Sequence, residues 1–328
     1  MKAPRAKKIP TSRTIHGLEL YDDYAWLREK ENPDVISYLE AETAYTKSTM
    51  ASTQSLQDEL YEEMLGRILE DDQSVPYKKG NYWYYTRTES GKAYAIHCRK
   101  KESLAAEEEV LIDENALAEG HDFFDLGDLD ISPDEKLMAY TVDTEGDEKY
   151  ALYVKDLSSG TVRKEFVKDI SPDIEWANDN KTIFYIVLDE QTHRPHRLYR
   201  YTTGSERDGT LVFDEPDEAF YLNLYKTKDE KYFFLYVGSN ITTEMWLFSA
   251  DEPEAEPVLF QERRHDIEFG VEHHDGWFYI YTNDSALNYR LMKTKSDQFD
   301  RSQWEEVIHH DPLVKIDTLD VFKSYIVV

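Results

Sequence analysis

Five stretches decide how this chain folds: Lys79-Gly80-Asn81-Tyr82-Trp83-Tyr84-Tyr85, Pro133-Asp134-Glu135-Lys136-Leu137-Met138-Ala139-Tyr140, Asp179-Asn180-Lys181-Thr182-Ile183-Phe184-Tyr185, Asp229-Glu230-Lys231-Tyr232-Phe233-Phe234-Leu235 and Asp275-Gly276-Trp277-Phe278-Tyr279-Ile280. Each is a polar turn running straight into a strand rich in aromatic and branched residues, the side chains that best cover a pleated surface. Phe322-Lys323-Ser324-Tyr325-Ile326-Val327-Val328 begins a sixth copy. Lys136, Lys181, Lys231, Gly276 and Ser324 mark the same point of the phrase and lie about 45 to 50 residues apart, the spacing of propeller blades.

Working outward from each turn, a second strand follows about 15 residues on, a step that leaves room for one short hairpin connection. These strands hold Ala95-Ile96-His97-Cys98, Leu152-Tyr153-Val154, Leu198-Tyr199-Arg200-Tyr201, Met245-Trp246-Leu247-Phe248 and Arg290-Leu291-Met292-Lys293. A third set contains Val110-Leu111-Ile112, Phe166-Val167, Leu211-Val212-Phe213, Val258-Leu259-Phe260 and Val307-Ile308. A further strand precedes most turns, as in Leu126 to Ile131, Ile174 to Trp176, Tyr221 to Tyr225 and Ile267 to Val271. Four antiparallel strands per unit make a blade, so the expected fold is an all-β propeller. A sandwich does not repeat one rhythm five times, and a β-helix uses much shorter units.

Residues 1–73 precede the blades and read differently. From about Asp22 to Glu70 the apolar period is helical. Asn32-Pro33 is a start signal, because Asn caps and Pro at the first helical position gives up only an unused donor. Val35, Leu39, Glu42 and Tyr45 follow at helical steps. Ser55-Leu56-Gln57-Asp58 has the form of a second start, a capping box with Asp in place of Glu. Leu56, Leu60, Met64 and Ile68 then recur every fourth residue as one apolar stripe. Residues 74–328 are expected to form five blades and the start of a sixth. A propeller removes its sheet edges by closing, and Val328 falls inside a strand of the sixth unit. The expectation is therefore an incomplete ring and a natural polypeptide that continues.

Composition narrows the function. The 67 Asp and Glu outnumber the 38 Lys and Arg, giving a net charge of −29, which disfavours nucleic acid and suits a soluble surface that draws cations. Cys98 is the only cysteine, so no intrachain disulfide can form and a reducing compartment fits. The basic opening Met1 to Lys8 is followed by no apolar h-region, and no run of about 18 apolar residues occurs. A cytoplasmic protein without a membrane partner is the simplest expectation.

No catalytic, cofactor or metal residue is assigned from the sequence. The Gly-x-Ser-x-Gly elbow of an α/β-hydrolase nucleophile is missing, and Ser90-Gly91, Ser159-Gly160 and Gly238-Ser239 read as hairpin turns. His193-Arg194-Pro195-His196 reads as a blade loop. His273-His274 and His309-His310 are adjacent pairs that a strand turns to opposite faces. The acidic loop around Glu145, Asp147 and Glu148 has two readings: a solvated hairpin tip, or a contact with another domain.

Asp22-Asp23-Tyr24-Ala25-Trp26-Leu27-Arg28-Glu29, Glu31 to Glu42, and Tyr82 to Lys92 resemble the leader and first blade of the prolyl oligopeptidase family. Tyr61 to Ile68, Glu70-Asp71-Asp72 and Asp143 to Tyr150 are similar to its oligopeptidase B branch. The resemblance implies a seven-bladed propeller whose leader packs on a C-terminal α/β-hydrolase domain. That domain would carry a Ser-Asp-His triad and cut short, basic peptides after Arg or Lys, with the propeller as lid and size filter. It also implies that this chain alone is inactive and that none of its residues belongs to the triad. The rival reading is a stand-alone propeller used as a binding or scaffold module, or the product of a split or decayed gene.

Overall fold

A computed structural model describes residues 2–328 and separates them into two units. The smaller runs up to Asp72 and includes Glu89–Gly91, and the larger holds Gln73–Thr88 and Lys92–Val328.

The smaller unit opens on a hairpin, β1 (Thr11–Ile15) against β2 (Leu18–Asp22), which helical periodicity does not reveal. Its turn is His16-Gly17, both with positive φ. Helix α1 (Pro33–Met50) starts where expected: Asn32 Oδ1 accepts the Asp34 N–H at 2.9 Å and Pro33 is the first helical residue. The expected capping box at Ser55 does not form. A single 3-10 turn, Ala51–Thr53, carries the chain from α1 into α2 (Gln54–Leu65), so Ser55 and Asp58 lie inside a helix already begun. Asp58 instead accepts from the Gln54 side chain at 2.8 Å. The stripe of Leu56, Leu60, Met64 and Ile68 is exposed along its length.

The larger unit is built from four-stranded antiparallel blades, each ordered from an inner strand outward. Blade one is β3 (Tyr77–Lys79), β4 (Tyr82–Arg87), β5 (Ile96–Lys101) and β6 (Glu108–Asp113), followed by the short α3 (Glu114–Ala118). Blade two is β7 (Asp125–Ile131), β8 (Leu137–Asp143), β9 (Tyr150–Asp156) and the first part of β10 (Val162–Trp176). The second part of β10 is the inner strand of blade three, with β11 (Thr182–Leu188), β12 (Pro195–Thr202) and β13 (Thr210–Asp214). The sequence suggests two separate strands at Phe166-Val167 and Ile174–Trp176. They form one 15-residue strand whose register shifts between Ile170 and Ile174, so it leaves one sheet and enters the next. Blade four is β14 (Tyr221–Lys226), β15 (Tyr232–Gly238), β16 (Thr243–Ser249) and β17 (Val258–Gln261). Blade five is β18 (Phe269–His274), β19 (Trp277–Thr282), β20 (Arg290–Lys295) and β21 (Glu305–Ile308). β22 (Asp320–Val321) and β23 (Ile326–Val327) then pair as a two-stranded sheet.

Packing between blades explains the repeated aromatic strand. Its side chains alternate between the two blade faces and bury against the neighbour on each side. Phe184 of blade three meets Phe233 of blade four at 4.9 Å between ring centroids, while Phe234 on the opposite face meets Phe278 of blade five at 5.6 Å. All four rings are fully buried. The polar turn before each such strand uses a left-handed residue, supplied by Gly80, Glu135, Asn180 and Glu230 in the first four and by both Asp275 and Gly276 in the fifth. Neighbouring side chains hold the non-glycine examples: Ser132 Oγ accepts the Leu137 N–H at 2.9 Å, and Asp179 accepts that of Thr182 at 2.8 Å. The fold is an all-β, incomplete propeller preceded by a helical leader.

Candidate functional site

The inner strands leave one edge of each sheet unpaired, and unpaired N–H groups there need acceptors. Carboxylates from the adjoining blade supply them. Asp128 on β7 accepts the Ile174 N–H at 3.1 Å, and Asp130 accepts that of Trp176 at 3.3 Å. Glu175 accepts the Lys226 N–H at 3.1 Å, and Glu272 on β18 accepts from Lys228 at 3.5 Å. Acidic side chains thus staple the blades to one another along the channel wall.

Asp128, Asp130, Glu175, Lys226 and Lys228 line a cavity of about 1090 Å³ at the end of the inner strands, and Glu272 lines a separate one. Lys79 of blade one lies 3.2 Å from Asp130 of blade two and 4.0 Å from Glu230 of blade four, so one ammonium bridges carboxylates of two other blades. Lys228 pairs with Asp320 and lies over the Phe322 ring at 4.2 Å. Burial, with Asp130 close by, pushes the Glu175 carboxyl up to about 7, and burial raises Glu272 to about 7 as well. The belt can therefore change charge near neutral pH. Its strands follow from the sequence repeat, but its carboxylates do not: a charged residue alternating with apolar ones, as in Asp128-Leu129-Asp130-Ile131, reads equally well as a solvated edge.

A second cavity of about 660 Å³ involves the start of the inner strands. Here the acidic loop between β8 and β9 takes its shape from Asp143, which accepts the N–H groups of Glu145, Gly146 and Glu148 at 2.8 to 2.9 Å. Glu148 lines this cavity with Asp125, Asp173 and Ser171. Glu145 and Asp147 are exposed and lie outside its lining, Asp147 pairing with Lys149 at 3.4 Å.

The other singled-out residues scatter. Ser90 bonds to Glu70 and Asp71, and Ser159 to Asp156, each in a turn, while Gly238 ends β15. His193 takes positive φ in the turn before β12, where His196 is buried. His273 and His274 do point apart: His273 Nδ1 is 2.6 Å from Asp229, and His274 reaches the Lys323 carbonyl. His309 is exposed and contacts Glu306. Burial holds the Cys98 thiol up at about 11, which leaves it a poor nucleophile. Among the described residues no three His, Cys, Asp or Glu side chains are grouped to hold a metal ion, and no helix is long and apolar enough to cross a membrane.

An arc of four-stranded blades around a charge-lined channel defines a β-propeller domain. The sequence profile of the family described as prolyl oligopeptidase, N-terminal beta-propeller domain, matches residues 4–328, and the chain belongs to that family. It is 33% identical to dipeptidyl aminopeptidase BI of Pseudoxanthomonas mexicana over 98% of this chain and 47% of the relative. It is 35% identical to protease 2 of Moraxella lacunata over 89% of this chain and 44% of the relative. The structure of oligopeptidase B from Leishmania major superposes with a TM-score of 0.90 at 28% identity, over 99% of this chain and 48% of that one. The chain thus spans about half the length of the proteins it resembles.

Proposed function

We propose that residues 74–328 are the gating and size-filtering propeller of a serine-type endopeptidase of the oligopeptidase B branch, and that residues 1–73 are its leader. The partner is a C-terminal α/β-hydrolase domain bearing the Ser-Asp-His triad, which cuts short basic peptides after Arg or Lys in the cytoplasm. The family match over residues 4–328 carries this function most directly. The likeness to oligopeptidase B supports the branch, and the net charge of −29 suits basic peptides. The exposed stripe from Leu56 to Ile68 supports a leader that packs on a further surface.

In this arrangement the propeller performs no bond chemistry. Its channel and loops decide which peptides reach the nucleophile, and the hydrolase domain supplies nucleophile, base and oxyanion hole. In this proposal the acidic loop of Glu145, Asp147 and Glu148 contacts that domain. The 328-residue chain is expected to show no turnover of a fluorogenic Arg-amide substrate, and serine-dependent hydrolysis by it would overturn the assignment. In a full-length enzyme, Glu145→Lys with Asp147→Lys should lower kcat/KM. An unchanged value would make the loop a solvated tip.

A further inference from the structure

The cavity lined by Asp125, Glu148, Ser171 and Asp173 has features that blade packing leaves unused. Ser171 is 5% exposed, yet its buried Oγ has no hydrogen-bond partner. A buried hydroxyl left unsatisfied is unfavourable, and Ser171 belongs to the lining of this cavity, where an occupant can supply the missing partner. Asp125 already accepts the Tyr150 hydroxyl at 2.6 Å, and Asp143 is committed to the loop amides. Asp173 and Glu148 remain, and among the described residues neither forms an ion pair. Phe123 and Tyr221, each about two-fifths exposed, add aromatic surface to the same wall.

Two carboxylates without an ion-pair partner, an unsatisfied hydroxyl and aromatic faces are the groups that recognise an organic cation, through charge-assisted hydrogen bonds and cation–π attraction. The carboxylates are not grouped as ligands of a compact metal ion, and the volume of about 660 Å³ suits a side chain or a short peptide end. We propose that this cavity binds the cationic group of a peptide, either a guanidinium or ammonium side chain or a free α-ammonium. Asp173 and Glu148 pair with the charge, and Ser171 Oγ accepts one of its N–H bonds. The site rests on the peptide-handling function proposed above but lies on the propeller itself, so it is open to test without any turnover.

The test is calorimetric titration of the 328-residue chain with three probes. N-acetyl-argininamide carries only the guanidinium, glycylglycinamide only the α-ammonium, and N-acetyl-glycylglycinamide no charge. One or both cationic probes should bind and the neutral one should not, and the probe that binds identifies the source of the charge. Asp173→Asn with Glu148→Gln should weaken that binding about tenfold or more, and Ser171→Ala by a smaller factor. Glu254→Gln, on a distant exposed loop, should leave it unchanged. If the double variant does not fold by circular dichroism, Asp173→Asn alone carries the comparison. Equal affinity in the folded carboxylate variants, equal binding of the neutral probe, or no binding of either cation would overturn the site. None of these results would alter the peptidase assignment, which the Arg-amide assay tests separately.

Discussion

Glu175 shows how one side chain can hold the channel together and also make it sensitive to pH. Its carboxyl is pushed up to about 7 by burial and by Asp130, with Lys79 and Lys226 partly opposing the shift. From its ordinary value near 4.5 up to about 7, the folded chain keeps a proton that the unfolded chain releases. Stability from this group is therefore full below that window, falls as pH rises through it, and stays lost above. Glu175→Gln keeps the neutral form and an acceptor for the Lys226 N–H. Urea unfolding should find it about 1–2 kcal/mol more stable than the parent at pH 8 and level with it at pH 4.5. A less stable variant at pH 8 would mean that the charged form is needed. Arg263 is the opposite case. It lies 2.5 Å from Glu215 and 2.9 Å from Glu244, both nearly inaccessible, and over the Phe220 ring. Arg263→Met would leave two buried carboxylates unpaired and should cost about 3–5 kcal/mol. Arg197→Ala, which removes an exposed pair with Asp214, should cost under about 1 kcal/mol in the same assay.

Among the elements, the inner strands are the most constrained, because each lies between its own sheet and the channel. On β7, a Cβ at Gly127 would come within 2.6 Å of the Tyr150 ring, 2.7 Å of Pro172 and 2.7 Å of Thr141 Oγ1. Thr141 Oγ1 also donates to the Pro172 carbonyl and accepts the Asp128 N–H, so it cannot move without breaking the link between β7, β8 and β10. Gly127→Ala should therefore lower stability by about 1–3 kcal/mol through overpacking, read as a lower urea midpoint. Gly91→Ala meets no atom within 4 Å, so any loss there reflects its positive φ alone. Strand identity and order were legible from the repeat. The β1–β2 hairpin was not, because five-residue strands around His16-Gly17 carry too few apolar positions to show a period. Nor was the fusion of two strands into β10, since a register shift leaves the local alternation intact on each side.

Across the whole molecule, the net charge of −29 acts against compaction, while the ion pairs in the blades act for it. Salt screens widely spaced surface charges more than it screens close, partly buried pairs. Raising sodium chloride from about 0.02 M to about 0.5 M, where the Debye length falls below about 10 Å, should raise Tm. A fall in Tm would show that the ion pairs outweigh the self-repulsion.

The blade period, the aromatic strands, the Asn32–Pro33 helix start and the family resemblance were fixed by local chemistry and could be read from residue order. The channel belt and the acidic cavity could not. Asp128, Asp130 and Glu175 come to line one cavity only when strands about 50 residues apart are brought side by side, and Glu148 of blade two meets Ser171 and Asp173, which share β10, only across two blades. Short-range patterning determines which segments become strands. The meeting of polar groups distant in sequence, and the burial that shifts their charge, depends on how the sheets are arranged around their axis.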